Sequence, residues 1–94
     1  MGALAVNGVG GIRASFGPVV PGARYVPMSH RYRCLYCGDA NACTMVCYDE
    51  IERAFAFEGP EQIAAISTEP VLNAGDCIPP GSKDYFKKIR QLCD

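Results

Sequence analysis

The chain has 94 residues and a net charge of −1, with 49% hydrophobic and 20% charged residues. This composition excludes a disordered tail and a collagen-like chain, and the near-neutral charge gives no reason to expect a nucleic acid or an anionic membrane as a partner. No segment approaches the roughly 20 apolar residues that cross a bilayer, and the first residues lack the basic start of a secretion signal, so we expect a soluble, cytoplasmic protein of one small domain.

Residues 1–41 form a glycine- and proline-rich segment that we predict to be irregular. Six glycines and three prolines fall within its first 30 residues. Prolines at this density remove backbone donors and exclude helix. The Gly8–Gly11 run has no predicted strand before it and no predicted helix after it, so we interpret it as a turn and not as a phosphate-binding loop.

Residues 42–94 are predicted to form a helix–strand–helix unit that starts with a helix over residues 42–57. Asn41 is the predicted N-cap of this helix, and Gly59 with Pro60 is its predicted end. Three apolar residues recur at intervals of four and therefore share one face of the helix: Cys47, Ile51 and Phe55.

A strand is predicted over residues 62–68, which are mostly apolar and contain neither glycine nor proline. The segment does not alternate between apolar and polar residues, and this is typical of a parallel strand that is covered on both faces. A loop through residues 73–81 follows. The second helix is predicted over residues 82–93, with Ser82 as its N-cap and Asp84 in its first turn, where the helix dipole favours a carboxylate.

The order helix, strand, helix indicates an α/β architecture that is incomplete by itself. A parallel strand buried on both faces needs neighbouring strands, because a single strand cannot satisfy its own backbone hydrogen-bonding groups. Only one strand is predicted in the chain. We therefore interpret residues 42–94 as a piece of a larger α/β domain.

Four of the six cysteines are spaced as Cys34-x2-Cys37-x5-Cys43-x3-Cys47. Four thiolates within 14 residues could hold a tetrahedral Zn²⁺, which would make the chain a small zinc-binding interaction module. The alternatives are cysteines that pack as small hydrophobic side chains and cysteines that form a disulfide. His30, just upstream, is interpreted as a solvated or structurally bonded residue and not as a catalytic one.

Glu69 is the most suggestive single residue, because it follows the predicted parallel strand at its carboxyl end. Open α/β sheets bind ligands at this edge. The alternative is a carboxylate in water or one that pairs with a nearby cation. The lysines at positions 83, 87 and 88 lie on or beside the second helix and are interpreted as a solvated face, without the buried setting that a Schiff-base lysine needs.

Residues 62–94 resemble class III (ω-type) pyridoxal-phosphate aminotransferases. The resemblance lies in Ile63–Val71 with its Glu69-Pro70-Val71 end, in Ala74-Gly75, in Pro79-Pro80 and in Tyr85–Asp94. The upstream stretch Pro21–Pro27 and the Tyr32-Arg33-Cys34 segment, followed by Cys43 and Cys47, agree with it. Leu35 and Leu72 depart from the family's usual Pro and Gln.

The resemblance implies a fold, a cofactor and an activity. The fold is the large domain of fold-type I pyridoxal-phosphate enzymes, and the activity is the transfer of an amino group from an amine or ω-amino acid to a 2-oxo acid in a homodimer. The residue matching Glu69 faces the active site in many members, so Glu69 is the predicted substrate-binding residue.

The resemblance also implies that this chain is a fragment that is inactive alone. The family's Schiff-base lysine and cofactor aspartate have no counterpart among these 94 residues, and Asp94 matches a residue at a helix end and not the cofactor aspartate. We therefore predict no catalytic and no cofactor-binding residue in this chain. Two other interpretations stay open, the zinc-binding module and a non-enzymatic remnant that folds only with a partner.

Overall fold

A computed structural model describes residues 1–38, 41–71 and 77–94. Four α-helices and one 3-10 turn occur in these ranges. They are α1 (Gly2–Ala5), α2 (Gly10–Ala14), α3 (Val46–Glu58), the 3-10 turn Pro60–Gln62 and α4 (Tyr85–Cys93). Residues 73–76 of the predicted loop, residues 39 and 40, and Leu72 lie outside the described residues. No helix in the described ranges is long and apolar enough to cross a membrane.

Helix α3 confirms the first predicted helix but begins four residues later than predicted. Its N-cap is Met45 with a left-handed backbone (φ 60°, ψ 20°), so the prediction of Asn41 as the cap is wrong. The carbonyl of Met45 accepts hydrogen bonds from the backbone N–H groups of Tyr48 (2.8 Å) and Asp49 (3.2 Å). The helix ends as predicted at Gly59, whose positive φ of 89° suits a glycine and whose N–H donates to the Phe55 carbonyl.

Helix α4 confirms the second predicted helix and begins three residues later than predicted. Ser82 lies in the turn before the helix, where its hydroxyl accepts the N–H of Asp84 (3.2 Å) and its carbonyl accepts the N–H of Tyr85 (3.3 Å). Asp84, and not Ser82, is therefore the N-cap residue. At the other end Arg90 pairs with the Asp94 carboxylate, which neutralises an exposed arginine in the last turn.

The hydrophobic core lies where α3 packs against α4. Its buried residues are Cys47, Tyr48, Ile51, Tyr85 and Ile89. Partly buried apolar side chains pack around them, among them Phe55, Ile66 and Phe86. Cys47 and Ile51 belong to the apolar stripe that the sequence predicts for the first helix, so the periodicity located this half of the core.

The strand predicted over residues 62–68 is not formed in the described part of the chain. Residues 60–62 form a 3-10 turn, and residues 63–69 follow without regular structure. Ile63 itself has an extended backbone (φ −106°, ψ 113°). An extended segment becomes a strand only when a neighbouring strand takes up its backbone hydrogen bonds, and no described segment does so. The α/β fold class is therefore not observed within residues 1–38, 41–71 and 77–94.

The prediction that residues 1–41 are irregular is wrong at two places. Short helices form at α1 and α2, and Gly10 and Gly11 begin α2 where a turn was expected. These helices pack on Tyr25 and not on the main core. The Tyr25 hydroxyl donates to the carbonyl of Ala5, and the guanidinium of Arg13 lies 3.8 Å from the centre of the Tyr25 ring. The Tyr25 ring therefore gives the two short helices a packing partner, which the sequence pattern alone does not reveal.

Candidate functional site

Glu69 lines a small open cleft, with a cavity volume of about 30 Å³, between the segment that ends at residue 69 and the start of α4. The other lining residues are Met28, Ser29, Thr68, Ile78, Pro80 and Tyr85. The cleft is thus built from three parts of the chain that are far apart in sequence. Glu69 contributes a carboxylate at the exposed rim of the cleft.

The floor of the cleft is fixed by two buried residues, Ser29 and Tyr85. The Ser29 hydroxyl accepts a hydrogen bond from the backbone N–H of Gly81 (3.1 Å), and Arg31 donates its N–H to the carbonyl of Pro79 (3.3 Å). Burial, and to a lesser extent the Cys47 thiol, raises the pKa of Tyr85 to about 12. Tyr85 is therefore a neutral phenol at neutral pH.

Ser29 and Tyr85 are residues that sequence reasoning did not assign to the site. They lie 40 and 16 positions from Glu69, and no spacing rule connects them with it. Their role arises from the crossing of the segment around Ser29 over the start of α4. Only the tertiary arrangement could have revealed it.

Pyridoxal phosphate would need a lysine to bind its aldehyde and hydrogen-bond donors to bind its phosphate. The residues that line the Glu69 cleft include no lysine and do not fit the cofactor. Lys83, Lys87 and Lys88 are all exposed, and none of them lines the cleft with Glu69. Lys88 instead places its ammonium 5.0 Å from the centre of the Tyr48 ring. The prediction of a solvated lysine face is confirmed, since all three lysines are exposed.

His30 is buried and structurally bonded, as predicted. Its Nδ1 accepts the backbone N–H of Arg33 at 2.7 Å. This bond holds the start of the segment that carries Cys34, and it uses the lone pair that a base or a metal ligand would need. The structure thus gives His30 a supporting role.

The four spaced cysteines come together around the start of α3. All four are reduced thiols, so the disulfide alternative is not observed. Cys47 is buried in the core, and burial raises the pKa of its thiol. The packing alternative is confirmed for this residue. The other three, Cys34, Cys37 and Cys43, are only half-buried.

The zinc alternative receives no support from the geometry. Within residues 1–38, 41–71 and 77–94, no group of three or more histidine, cysteine or acidic side chains is arranged to hold a metal ion. Cys47 belongs to the hydrophobic core and Cys43 packs against Gly81. A tetrahedral site needs four thiolates that converge on one point, and these two side chains are used for packing.

Comparison with known proteins shows similarity to aminotransferases along the whole chain. The chain is 42% identical over 95 residues to probable aminotransferase Rv3329 of Mycobacterium tuberculosis, a match that covers 99% of this chain and 20% of that protein. It is 31% identical over 97 residues to the omega-aminotransferase of Caulobacter vibrioides, with 99% and 21% covered. The leucine/methionine racemase of Thermococcus litoralis is 35% identical over 72 residues, 74% of this chain and 16% of that protein.

These matches confirm the predicted resemblance: the chain is homologous to one segment of aminotransferases. It spans about a fifth of the length of the relatives that match it along its whole length. No protein-family profile matches the sequence. No solved structure matches it either.

Proposed function

We propose, from the premise that this chain is homologous to a segment of aminotransferases, that it is part of a class III, fold-type I pyridoxal-phosphate enzyme. The parent enzyme transfers an amino group from an amine or ω-amino acid to a 2-oxo acid, as a cytoplasmic homodimer. The observation that supports the proposal is the similarity to aminotransferases over 99% of the chain. In the parent, residues 63–69 pair with neighbouring strands and form the strand that this chain cannot complete.

Glu69 is the proposed substrate-facing residue of this segment. It stands at the end of residues 63–69, where a parallel sheet would present it to a ligand, and it already lines a cleft in this chain. A carboxylate at such a place either accepts hydrogen bonds from the amino donor or pairs with an arginine that reads the substrate carboxylate. Both roles position the substrate, and neither moves a proton at the reacting carbon.

The nucleotide sequence around the gene gives the first test. We expect an in-frame continuation that encodes an Asp-Glu strand and, further on, a lysine for the Schiff base. The continuous enzyme, expressed with pyridoxal phosphate, is then assayed for amino transfer from an ω-amino acid to pyruvate. A continuous frame without those residues, or an intact protein without amino transfer, would contradict the proposal.

Glu69→Gln in that enzyme tests the role of the carboxylate. The substitution should lower kcat/KM by about tenfold or more, since a charge-assisted hydrogen bond contributes about 1.5–3 kcal/mol. Glu61→Gln is the matched control, because Glu61 is an exposed glutamate in the 3-10 turn and outside the cleft. Equal kinetics of the two variants would remove Glu69 from the site.

The 94-residue polypeptide alone is proposed to be inactive. Its exposed lysines give no buried amine for the cofactor, and a cofactor that is neither held nor oriented does not supply its chemistry to a substrate. Purified chain, incubated with pyridoxal phosphate, an ω-amino acid and pyruvate, should form no alanine above a cofactor-only control. Turnover above that control would overturn this part of the proposal.

Racemisation of an amino acid is a second candidate activity for the parent. It is favoured by the 35% identity to a leucine/methionine racemase over 72 residues. The two activities separate in one experiment, in which the intact enzyme is given a single L-amino acid with and without a 2-oxo acid. Loss of chirality without the acceptor supports the racemase, and loss of the amino group only with the acceptor supports the aminotransferase.

A further inference from the structure

A single turn brings two of the half-buried cysteines together. In the cysteine turn, residues 34–38, the backbone N–H of Gly38 donates to the carbonyl of Cys34 at 3.1 Å. Gly38 has a φ of 69°, a left-handed conformation that a glycine adopts without strain. A bond from residue i+4 to residue i closes one helical turn, and it places the Cα atoms of Cys34 and Cys37 about 5 Å apart. Disulfides join Cα atoms separated by about 4.4–6.8 Å.

Two contacts with Thr44 favour the thiolate form of Cys37. Its backbone N–H donates to Cys37 Sγ at 3.2 Å, and its hydroxyl lies 3.3 Å from the same sulfur. Hydrogen bonds to a sulfur favour the thiolate over the thiol. The Thr44 hydroxyl and backbone N–H accordingly lower the pKa of Cys37, and the thiols of Cys34 and Cys43 lower it further.

The neighbouring thiols differ in how free they are to react. Cys47 is buried, and its thiol pKa is raised by burial, so it is the weakest nucleophile of the group. Cys43 lies against Gly81, since a Cβ atom at position 81 would come within 2.9 Å of its sulfur. Cys34 shares the cysteine turn with Cys37 and is half-buried. Cys34 is therefore the thiol best placed to approach Cys37.

We propose that Cys37 and Cys34 form a reversible redox pair, in which a peroxide oxidises Cys37 and Cys34 closes a disulfide onto it. No such modification follows from the proposed aminotransferase function. The pair lies outside the Glu69 cleft, because neither cysteine lines it. A test of the Cys34–Cys37 pair therefore does not depend on whether the parent is an aminotransferase.

The chemistry requires hydrogen peroxide or an organic hydroperoxide as the oxidant. The Cys37 thiolate attacks one peroxide oxygen, the O–O bond breaks, and protonation gives a Cys37 sulfenic acid and water or an alcohol. The Cys34 thiol then attacks the Cys37 sulfur, its proton leaves with the hydroxyl group as a second water, and the S–S bond forms. Two electrons pass from the two sulfurs to the peroxide, and a thiol reductant reverses the change.

Alkylation under non-denaturing conditions tests the first half of the proposal. The reduced chain is treated with a limiting amount of iodoacetamide at neutral pH, and labelling is located by peptide mass spectrometry. Cys37 should react about tenfold faster than the exposed Cys93, because reaction follows the thiolate fraction. In concentrated urea the two rates should become equal. A ratio near one without urea overturns the proposal.

Thr44 variants connect that reactivity to the geometry. Thr44→Val removes the hydroxyl partner of Cys37 and should reduce the Cys37 to Cys93 ratio several-fold, while Thr44→Ser keeps the hydroxyl and should preserve it. The Thr44 hydroxyl bonds to Cys37 at an exposed place, so neither substitution disturbs the core. A ratio that is the same in both variants would show that Thr44 does not activate the thiol.

Oxidation of the whole chain tests the second half. Stoichiometric peroxide should lower the mass of the peptide between Arg33 and Arg53, which contains four cysteines, by two hydrogens. Backbone fragmentation between Cys37 and Cys43 should place the bond at Cys34–Cys37, and dithiothreitol should reverse it. A bond from Cys37 to Cys43 or Cys47, a sulfonic acid without a disulfide, or zinc held by the reduced chain after dialysis would each overturn the pairing.

Discussion

The backbone N–H of Gly81 donates a hydrogen bond of 3.1 Å to the hydroxyl of Ser29, and this bond joins two segments that lie 52 residues apart in sequence. Ser29 is buried and lies close enough to the Cys47 thiol to lower its pKa, against the larger effect of burial, which raises it. One side chain thus connects the N-terminal segment to the turn before α4 and to the core. The position of the Glu69 cleft depends on this connection.

Ser29→Ala should therefore loosen the cleft and the core together. The loss of a buried hydroxyl that leaves the Gly81 N–H without its partner costs about 1–3 kcal/mol. Urea unfolding followed by far-UV circular dichroism should show this decrease, and Cys47 should become easier to alkylate. Ser67→Ala is the control, because Ser67 is exposed. Equal stability of the two variants would show that the Ser29 bond contributes nothing.

The contact between α3 and α4 should depend on Ile51, which is only 3% exposed. Ile51→Ala removes buried methyl and methylene groups and leaves a cavity, at a cost of about 2–5 kcal/mol. The described part of the chain has a core cluster of only five buried residues, which leaves little stability to lose, so the variant should lose its near-ultraviolet dichroism. Phe57→Ala is the control, because Phe57 is 88% exposed and should change stability by no more than about 0.5 kcal/mol. A folded Ile51→Ala variant would show that the two helices are held by other contacts.

The chain should lose stability in alkaline solution between about pH 10 and 12. Burial, together with the hydrogen bond that the hydroxyl donates to Glu52, raises the pKa of Tyr48 to about 12, and burial does the same for Tyr85. The unfolded chain releases these protons near pH 10. The stabilisation is therefore complete below pH 10 and is lost as the pH rises towards 12.

Tyrosinate absorbance and far-ultraviolet dichroism, recorded together during the titration, measure this loss. Tyr48→Phe should remove about half of the alkaline decrease, while Tyr32→Phe, at an exposed position, should leave it unchanged. Unfolding that begins below pH 9, or a transition that is the same in all three proteins, would mean that the buried phenols do not control it.

Asp94 should be dispensable for the cofactor of the intact enzyme. Its carboxylate pairs with Arg90 at the exposed end of α4, and exposed pairs of this kind contribute about 0–1 kcal/mol. Asp94→Asn should leave the cofactor absorbance unchanged and kcat within about twofold of the original. A shifted absorbance band with a large loss of activity would identify Asp94 as a cofactor ligand and would contradict its match to a residue at a helix end.

The two longer helices were predictable because their apolar residues repeat at helical spacing and face one another. Ile51 illustrates this, since it lies on the apolar stripe predicted for the first helix and is buried in the observed core. The strand predicted over residues 62–68 was not predictable from its composition, because a strand also needs a neighbouring segment that takes up its backbone hydrogen bonds, and no described segment does so. Helices α1 and α2 were missed because their many glycines argue against helix, and the contacts with Tyr25 that accompany them are not visible in the sequence.

Glu69 is the only residue of the cleft that the sequence analysis singled out. Glu69 was predicted from its place after an apolar segment, and it lines a cleft in the structure, while its role in substrate binding stays a prediction. Ser29, Tyr85 and Thr44 carry no signal in the sequence, because each acts through a contact made by the folded backbone. The spacing of the cysteines suggested that they gather, but the choice between zinc, packing and redox chemistry depends on which thiols are buried.

The exposed apolar side chains have a consequence for how this polypeptide can be produced. Phe57 and Leu35 are 88% and 82% exposed, and side chains of this kind in water promote self-association. Co-expression with the remaining segments of the parent enzyme as separate polypeptides should cover them and raise the soluble yield.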